Sequence, residues 1–258
     1  MKIGLIDSGL GGLTVLAEAL KQLPDEEFLY YADSKNAPYG SKPPAAVLEY
    51  VSGGVGFLID KGAEVIVIAC NTATSIAAPT LRKTYDVPIL GMEPAVKPAM
   101  ELRKGRRVLV TATPLTLKEE KMKQLLKNVD PYGFADLVAL PCLVEFAERH
   151  DFSNETVLPY LKDALSHLDL SDYGSVVLGC THFPFFSPQF ESLLKNARLI
   201  DGSVGTVRHL VKTIQNSEVK TKTKTKASAI TYFVSGQEVK DLAEIEKFSY
   251  LLSLSQNQ

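Results

Sequence analysis

Short apolar runs alternate with amphipathic stretches along the whole chain. Strand-like runs fall at Lys2–Ile6, Phe28–Tyr31, Val65–Ala69, Val87–Leu90, Arg107–Val110, Asp136–Leu140, Ser175–Leu178 and Arg198–Ile200. Helical periodicity marks Leu13–Gln22, Ala45–Lys61 and Leu117–Asn128 between them. Continuous apolar strands separated by helices predict parallel sheets covered on both faces. Ligands of such sheets bind at the carboxyl ends of the strands.

The strand ends repeat. In the first half they read Asp7-Ser8, Asp33-Ser34, Cys70-Asn71-Thr72 and Gly91-Met92-Glu93. In the second half they read Thr111-Ala112-Thr113, Cys142, Cys180-Thr181-His182 and Asp201-Gly202-Ser203. Asp33 to Cys70 spans 37 positions and Cys142 to Cys180 spans 38; Cys70 to Gly91 and Cys180 to Asp201 both span 21. The first intervals agree less well, 26 positions against 31. The pattern predicts an α/β protein of two similar domains, each a mainly parallel sheet flanked by helices, with the active site in the cleft between them. The first domain takes residues 1–93 and 205–258, because Ile230–Val234 reads as a strand and Gln237–Leu252 as a closing helix. The second takes residues 94–204. The alternating Lys/Thr run Lys220–Lys226 reads as a solvated loop, since no aromatic residues interleave the lysines.

Composition narrows the function. At 258 residues with 45% hydrophobic side chains, the chain can bury a substantial core. A net charge of −2 gives no electrostatic footprint for nucleic acid. No apolar run approaches the roughly 20 residues of a spanning helix. The short apolar start breaks at Asp7, too early for a secretory signal, so the default location is cytoplasmic. Three cysteines are too few for a disulfide framework and read as thiols.

Two of those thiols end strands. Val65–Ala69 delivers Cys70 to a helix start, where Asn71 and Thr72 are candidate caps. Free N–H groups and the helix dipole are expected to lower a thiol pKa there. Ser175–Gly179 delivers Cys180 in the same way, with His182 beside it as an acid/base group. A single cysteine ending a strand is ordinarily a small buried hydrophobe. Two at matching places in a duplicated frame suit inversion at a carbon: one thiolate removes a proton and one thiol returns a proton to the opposite face. The developing carbanion would need preorganised donors, which helix N-termini supply.

The segment from Gly4 to Thr14 is strand, glycine-rich turn, helix. It fails the dinucleotide pattern, because Thr14 occupies the place of the third glycine. Its glycines are expected to allow a tight turn and close backbone approach. Asp7 is open to three roles: helix cap, ammonium contact or assistance to proton transfer. Asn36–Gly40 is a turn by composition.

Together, Asp7–Gly12, Pro38-Tyr39-Gly40, Ala69–Thr74, Met92–Ala95 and Gly179–Pro184 resemble the glutamate racemase family, within the wider aspartate/glutamate racemase superfamily. The resemblance covers nearly the whole chain. It implies that Cys70 and Cys180 are the acid/base pair, assisted by Asp7 and His182, with Glu145 at the place of a further assisting carboxylate. Substrate contacts are implied for Asp7, Ser8, Pro38, Tyr39, Gly40, Asn71, Thr72, Thr116, Thr181 and His182. The implied substrate is L- or D-glutamate, feeding peptidoglycan synthesis, with no cofactor and no metal. Members often form homodimers. Phe183 and Phe185-Phe186 replace the Tyr and Leu residues common after the histidine, and the turn Asp201-Gly202-Ser203 also departs from the family pattern.

Aspartate racemase shares the paired-thiol logic and differs in pocket length. A redox or metal protein using Cys70, Cys180 and His182 would want short local ligand spacing, and no C-x-x-C occurs. A binding module without turnover would have little use for both cysteines.

Overall fold

The computed structural model describes residues 1–216 and 229–256. The Lys220–Lys226 run lies outside the described residues. Among the described residues, ten strands form two sheets: β1 (Lys2–Asp7), β2 (Glu27–Ala32), β3 (Val65–Ile68), β4 (Ile89–Gly91), β5 (Arg107–Ala112), β6 (Ala135–Ala139), β7 (Tyr173–Leu178), β8 (Arg198–Asp201), β9 (Ile230–Val234) and β10 (Gln237–Glu238). The first sheet runs β10-β9-β2-β1-β3-β4 and the second β6-β5-β7-β8. All pairings are parallel except β9 with β10. Within the repeated halves the orders 2-1-3-4 and 6-5-7-8 correspond strand for strand. The spacing repeat is thus matched by a topological repeat, and the C-terminal strands extend the first sheet.

The helices are α1 (Leu13–Gln22), α2 (Pro44–Asp60), α3 (Asn71–Thr84), α4 (Val96–Leu102), α5 (Pro114–Lys118), α6 (Glu120–Val129), α7 (Pro141–Glu148), α8 (Asn154–Ala164), α9 (Ser187–Leu193), α10 (Ser203–Asn216) and α11 (Leu242–Gln256). The single helix expected over Leu117–Asn128 is two helices, broken where Glu119 turns extended at φ −62°, ψ 140°. The closing helix starts at Leu242, because Gln237-Glu238 pairs with β9 as a strand.

Strand alternation sorts the core. Ile3, Leu5, Val65 and Val67 face one apolar cluster, which continues through Leu109, Val176 and Leu178 of the second sheet. Ile6, Ile66 and Ile68 face a second cluster under α2 and α3. Val108, Val110 and Val177 face a third, near α4 and α6. The registers Ile6↔Ile68 and Asp7↔Ala32 align the strand ends of the first sheet, and Thr111↔Leu178 does so in the second. The polar residues that follow therefore meet in one place.

Candidate active site

Cys70 and Cys180 line the same narrow pocket. They are 7% and 8% exposed, so each is reachable yet mostly withdrawn from water. The pocket wall also takes Ser8, Pro38, Tyr39, Gly40, Asn71, Thr72, Thr116 and His182, all singled out from the sequence. Asp7 and Thr181 are not among the wall residues; they lie behind it, at 0% and 3% exposure. Thr113, Val144 and Gly179 complete the wall; Thr113 and Gly179 stood in the strand-end motifs without a site role, and Val144 was not singled out.

Cys70 is itself the N-cap of α3. Its sulfur accepts the Ala73 N–H at 3.4 Å, while Asn71 and Thr72 are already helical. The Cys70 thiol also points to Ser8 Oγ at 4.0 Å. The helix-start effect expected to lower this thiol's pKa is present but loses. Burial pushes the thiol well above its ordinary value, and the charge of Asp7 adds to the rise. Cys70 therefore rests as a neutral thiol.

On the opposite wall, His182 Nδ1 lies 3.7 Å from Cys180 Sγ and Nε2 lies 2.7 Å from Glu148 Oε1. The short contact to a carboxylate assigns the Nε2 proton to that bond, leaving Nδ1 for the sulfur. Burial alone pushes the imidazole pKa down, but hydrogen bonds and charge from Cys180 and Glu148 carry it well above its ordinary value. The shift favours the protonated imidazole.

The carboxylate that meets His182 is Glu148, not the Glu145 expected from the resemblance. Both lie on α7, but Glu145 faces solvent. Glu148, one helical turn on, faces His182 and accepts the Leu10 N–H at 2.7 Å. A three-residue step on a helix stays near the same face, and the family pattern could not tell which of the two would reach inward.

Asp7 ends β1 with its carboxylate in the glycine-rich loop. Oδ2 accepts Gly12 N–H at 2.8 Å and Gly9 N–H at 3.4 Å, and Oδ1 lies 3.4 Å from Thr181 Oγ1. Burial pushes its pKa up to about 6, against the opposing pull of His182. The loop comes so close to the second sheet that a Cβ on Gly9 would collide with the Glu148 carboxylate, and one on Gly11 with the His182 ring. The glycines serve close approach, as the sequence indicated.

Three hydroxyls bridge the two halves at the pocket. Thr72 Oγ1 lies 3.2 Å from Thr113 Oγ1 and 2.9 Å from Thr116 Oγ1, and Thr113 donates to Thr116 at 3.0 Å. Thr116 sits in α5, with Thr113 as its N-cap. Tyr39 is tied to the buried carboxylate of Asp33 by a 2.6 Å hydrogen bond. Asn71 Oδ1 is buried without a hydrogen-bond partner. An orphaned acceptor in a pocket wall calls for a donor from a ligand. Among the described residues, no group of three or more His, Cys, Asp or Glu could hold a metal ion.

Known proteins resemble the chain in sequence and fold. The profile of the family described as Asp/Glu/Hydantoin racemase matches residues 3–210. The chain is 48% identical over 257 residues to glutamate racemase 2 of Bacillus subtilis, covering 98% of this chain and 96% of that one. It is 47% identical over 253 residues to glutamate racemase of Halothermothrix orenii, covering 98% and 99%. The solved Escherichia coli glutamate racemase, in complex with L-glutamate and the activator UDP-MurNAc-Ala, superposes with a TM-score of 0.84 at 28% identity, covering 96% and 94%.

Proposed function

The chain belongs to the Asp/Glu/hydantoin racemase family, and from that premise we propose that it interconverts L- and D-glutamate by a two-thiol proton exchange, without a cofactor. The observation that carries the mechanism is the pair of cysteines on one pocket, each backed by its own assisting group. Two lobes divide the work: residues 1–93 with 205–258 carry Cys70, and residues 94–204 carry Cys180.

With Cys70 held as the thiol, Cys180 is the first base, beside the protonated His182. Its thiolate takes the substrate α-proton, and the Cys70 S–H bond gives its proton to the other face. One proton leaves the substrate and one arrives, so configuration inverts with no net change. The thiols then hold exchanged protonation states, which suit the opposite enantiomer. Asp7 acts on Cys70 from behind the wall, through its charge. The substrate ammonium fits the orphaned Asn71 Oδ1. The hydroxyls of Ser8, Thr72, Thr113 and Thr116, with the N–H groups opening α3, fit the carboxylates.

Racemisation assays with L-glutamate and L-aspartate test the substrate. Glutamate turnover is expected, and turnover of aspartate alone would overturn the choice, since one methylene is worth only about 1–3 kcal/mol of discrimination. Rescue of a D-glutamate auxotroph tests the role in peptidoglycan supply; failure despite expressed, folded protein would favour a binding module. The reading includes a cytoplasmic location and a homodimer, the latter measurable by light scattering. No helix among the described residues is long and apolar enough to cross a membrane.

Glu148→Gln keeps an acceptor for His182 but removes its charge, so the imidazole pKa falls and the alkaline limb of kcat moves to lower pH. A loss of about tenfold in kcat is expected, within the range of charge-assisted hydrogen bonds. Glu145→Gln should match the wild type. Equal losses in both variants would remove Glu148 from the scheme.

A further inference from the structure

The loop Gly9–Gly12 touches every assisting group of the site. Gly9 and Gly12 donate to Asp7, Leu10 donates to Glu148, and Gly11 N lies 3.2 Å from His182 Nε2. A loop of three glycines and one leucine has little side-chain packing to hold it. Two side chains donate to its carbonyls: Thr14 Oγ1 to Gly11 at 2.9 Å, and Tyr30, in the middle of β2, to Gly9 at 2.8 Å. Tyr30 is fully buried. Its ring is gripped edge-on by Tyr232 of β9 and Phe248 of α11, at centroid distances of 6.3 and 6.2 Å. Those two rings stack on each other at 4.6 Å. The elements after residue 229 therefore pack against the phenol that holds the loop.

Building on the racemase reading above, we propose that Tyr30 is a positioning residue: its hydroxyl, braced by the Tyr232–Phe248 stack, holds Gly9–Gly12 so that the loop's N–H groups keep Asp7 ionised beside Cys70. Tyr30 does not line the pocket and touches no reacting atom. A role confined to core packing would be met by phenylalanine. The hydroxyl is needed because a buried Gly9 carbonyl wants a donor and because the bond fixes where the Gly9 and Gly12 N–H groups point. The groups that set the Asp7 charge are those facing it: His182 and Glu148 across the cleft, and Cys70 and Tyr30 on neighbouring strands.

Tyr30→Phe tests this, with Phe248→Leu as a second variant that loosens the brace and leaves the phenol. Two readouts are taken: kcat and KM against pH in both directions, and the Asp7 carboxyl titration by carbon NMR, which needs no turnover. Tyr30→Phe is expected to lower kcat about tenfold with KM within twofold. The Asp7 titration moves above its position of about 6, and the acid limb of kcat follows it. Phe248→Leu moves the same limb in the same direction by less. An unmoved Asp7 titration and acid limb in both variants overturns the proposal, even if thermal stability falls. A wild-type protein inactive on glutamate would sink the substrate assignment, while the NMR titration would still decide the role of Tyr30.

Discussion

Replacing either Cys70 or Cys180 by serine lowers racemisation of glutamate by about a thousandfold or more, at the upper end of what a positioned acid or base contributes. The chemistry needs two proton carriers on opposite faces. A serine hydroxyl sits far above a thiol in pKa, so it neither yields its proton to the carbanion nor forms a base at neutral pH. The loss should fall on kcat in both directions, because each thiol is the base for one enantiomer and the acid for the other. The variants should fold normally, since a Cys-to-Ser change at these partly reachable positions removes no packing volume of consequence. In D₂O, product of inverted configuration from the wild-type enzyme carries deuterium at the α-carbon. Turnover near wild type in either single variant, or inverted product that retains the original hydrogen throughout, would end the two-thiol account.

The strands were legible because parallel strands buried on both faces carry continuous apolar runs, such as Val65–Ile68 and Val176-Val177-Leu178. The cysteines were legible because the repeat places them at equivalent strand ends. Glu148 was not, because Glu145 and Glu148 are one turn apart and only the packing of α7 decides which points inward. The ionisation of Cys70 was misjudged for a related reason. A helix start is visible in sequence, but the burial that outweighs it, and the Asp7 charge that adds to it, come from residues distant in sequence. Thr113, read only as a strand end, and Tyr30 were given no site role, because their roles lie in contacts with other elements, to Thr72 and to Gly9. No local pattern encodes those contacts.

Asp7→Asn is expected to trade activity for stability. In the folded protein burial raises the Asp7 pKa from 3.8 to about 6, with the carboxylate fully enclosed. The folded state therefore holds this proton more tightly than the unfolded chain does. The stability that the protonated form confers is complete below about pH 4 and is lost as pH rises through about 6. A shift of that size corresponds to a cost on the order of 3 kcal/mol at neutral pH. Asparagine carries no charge to desolvate and still offers an oxygen to Gly12 N–H. Urea unfolding should therefore find Asp7→Asn more stable than the wild type at pH 7 by about 2–3 kcal/mol, with the advantage gone at pH 4. Activity moves the other way. Without the negative charge that raises the Cys70 pKa, its thiolate is a weaker base, and kcat in the direction that uses Cys70 as the base falls by about a hundredfold. The acid limb that tracks Asp7 near pH 6 should vanish from the kcat profile of the variant. A stability difference that stays flat between pH 4 and 7 would mean that Asp7 is not the buried, proton-holding carboxylate the structure places there. A retained acid limb would assign that titration to another group.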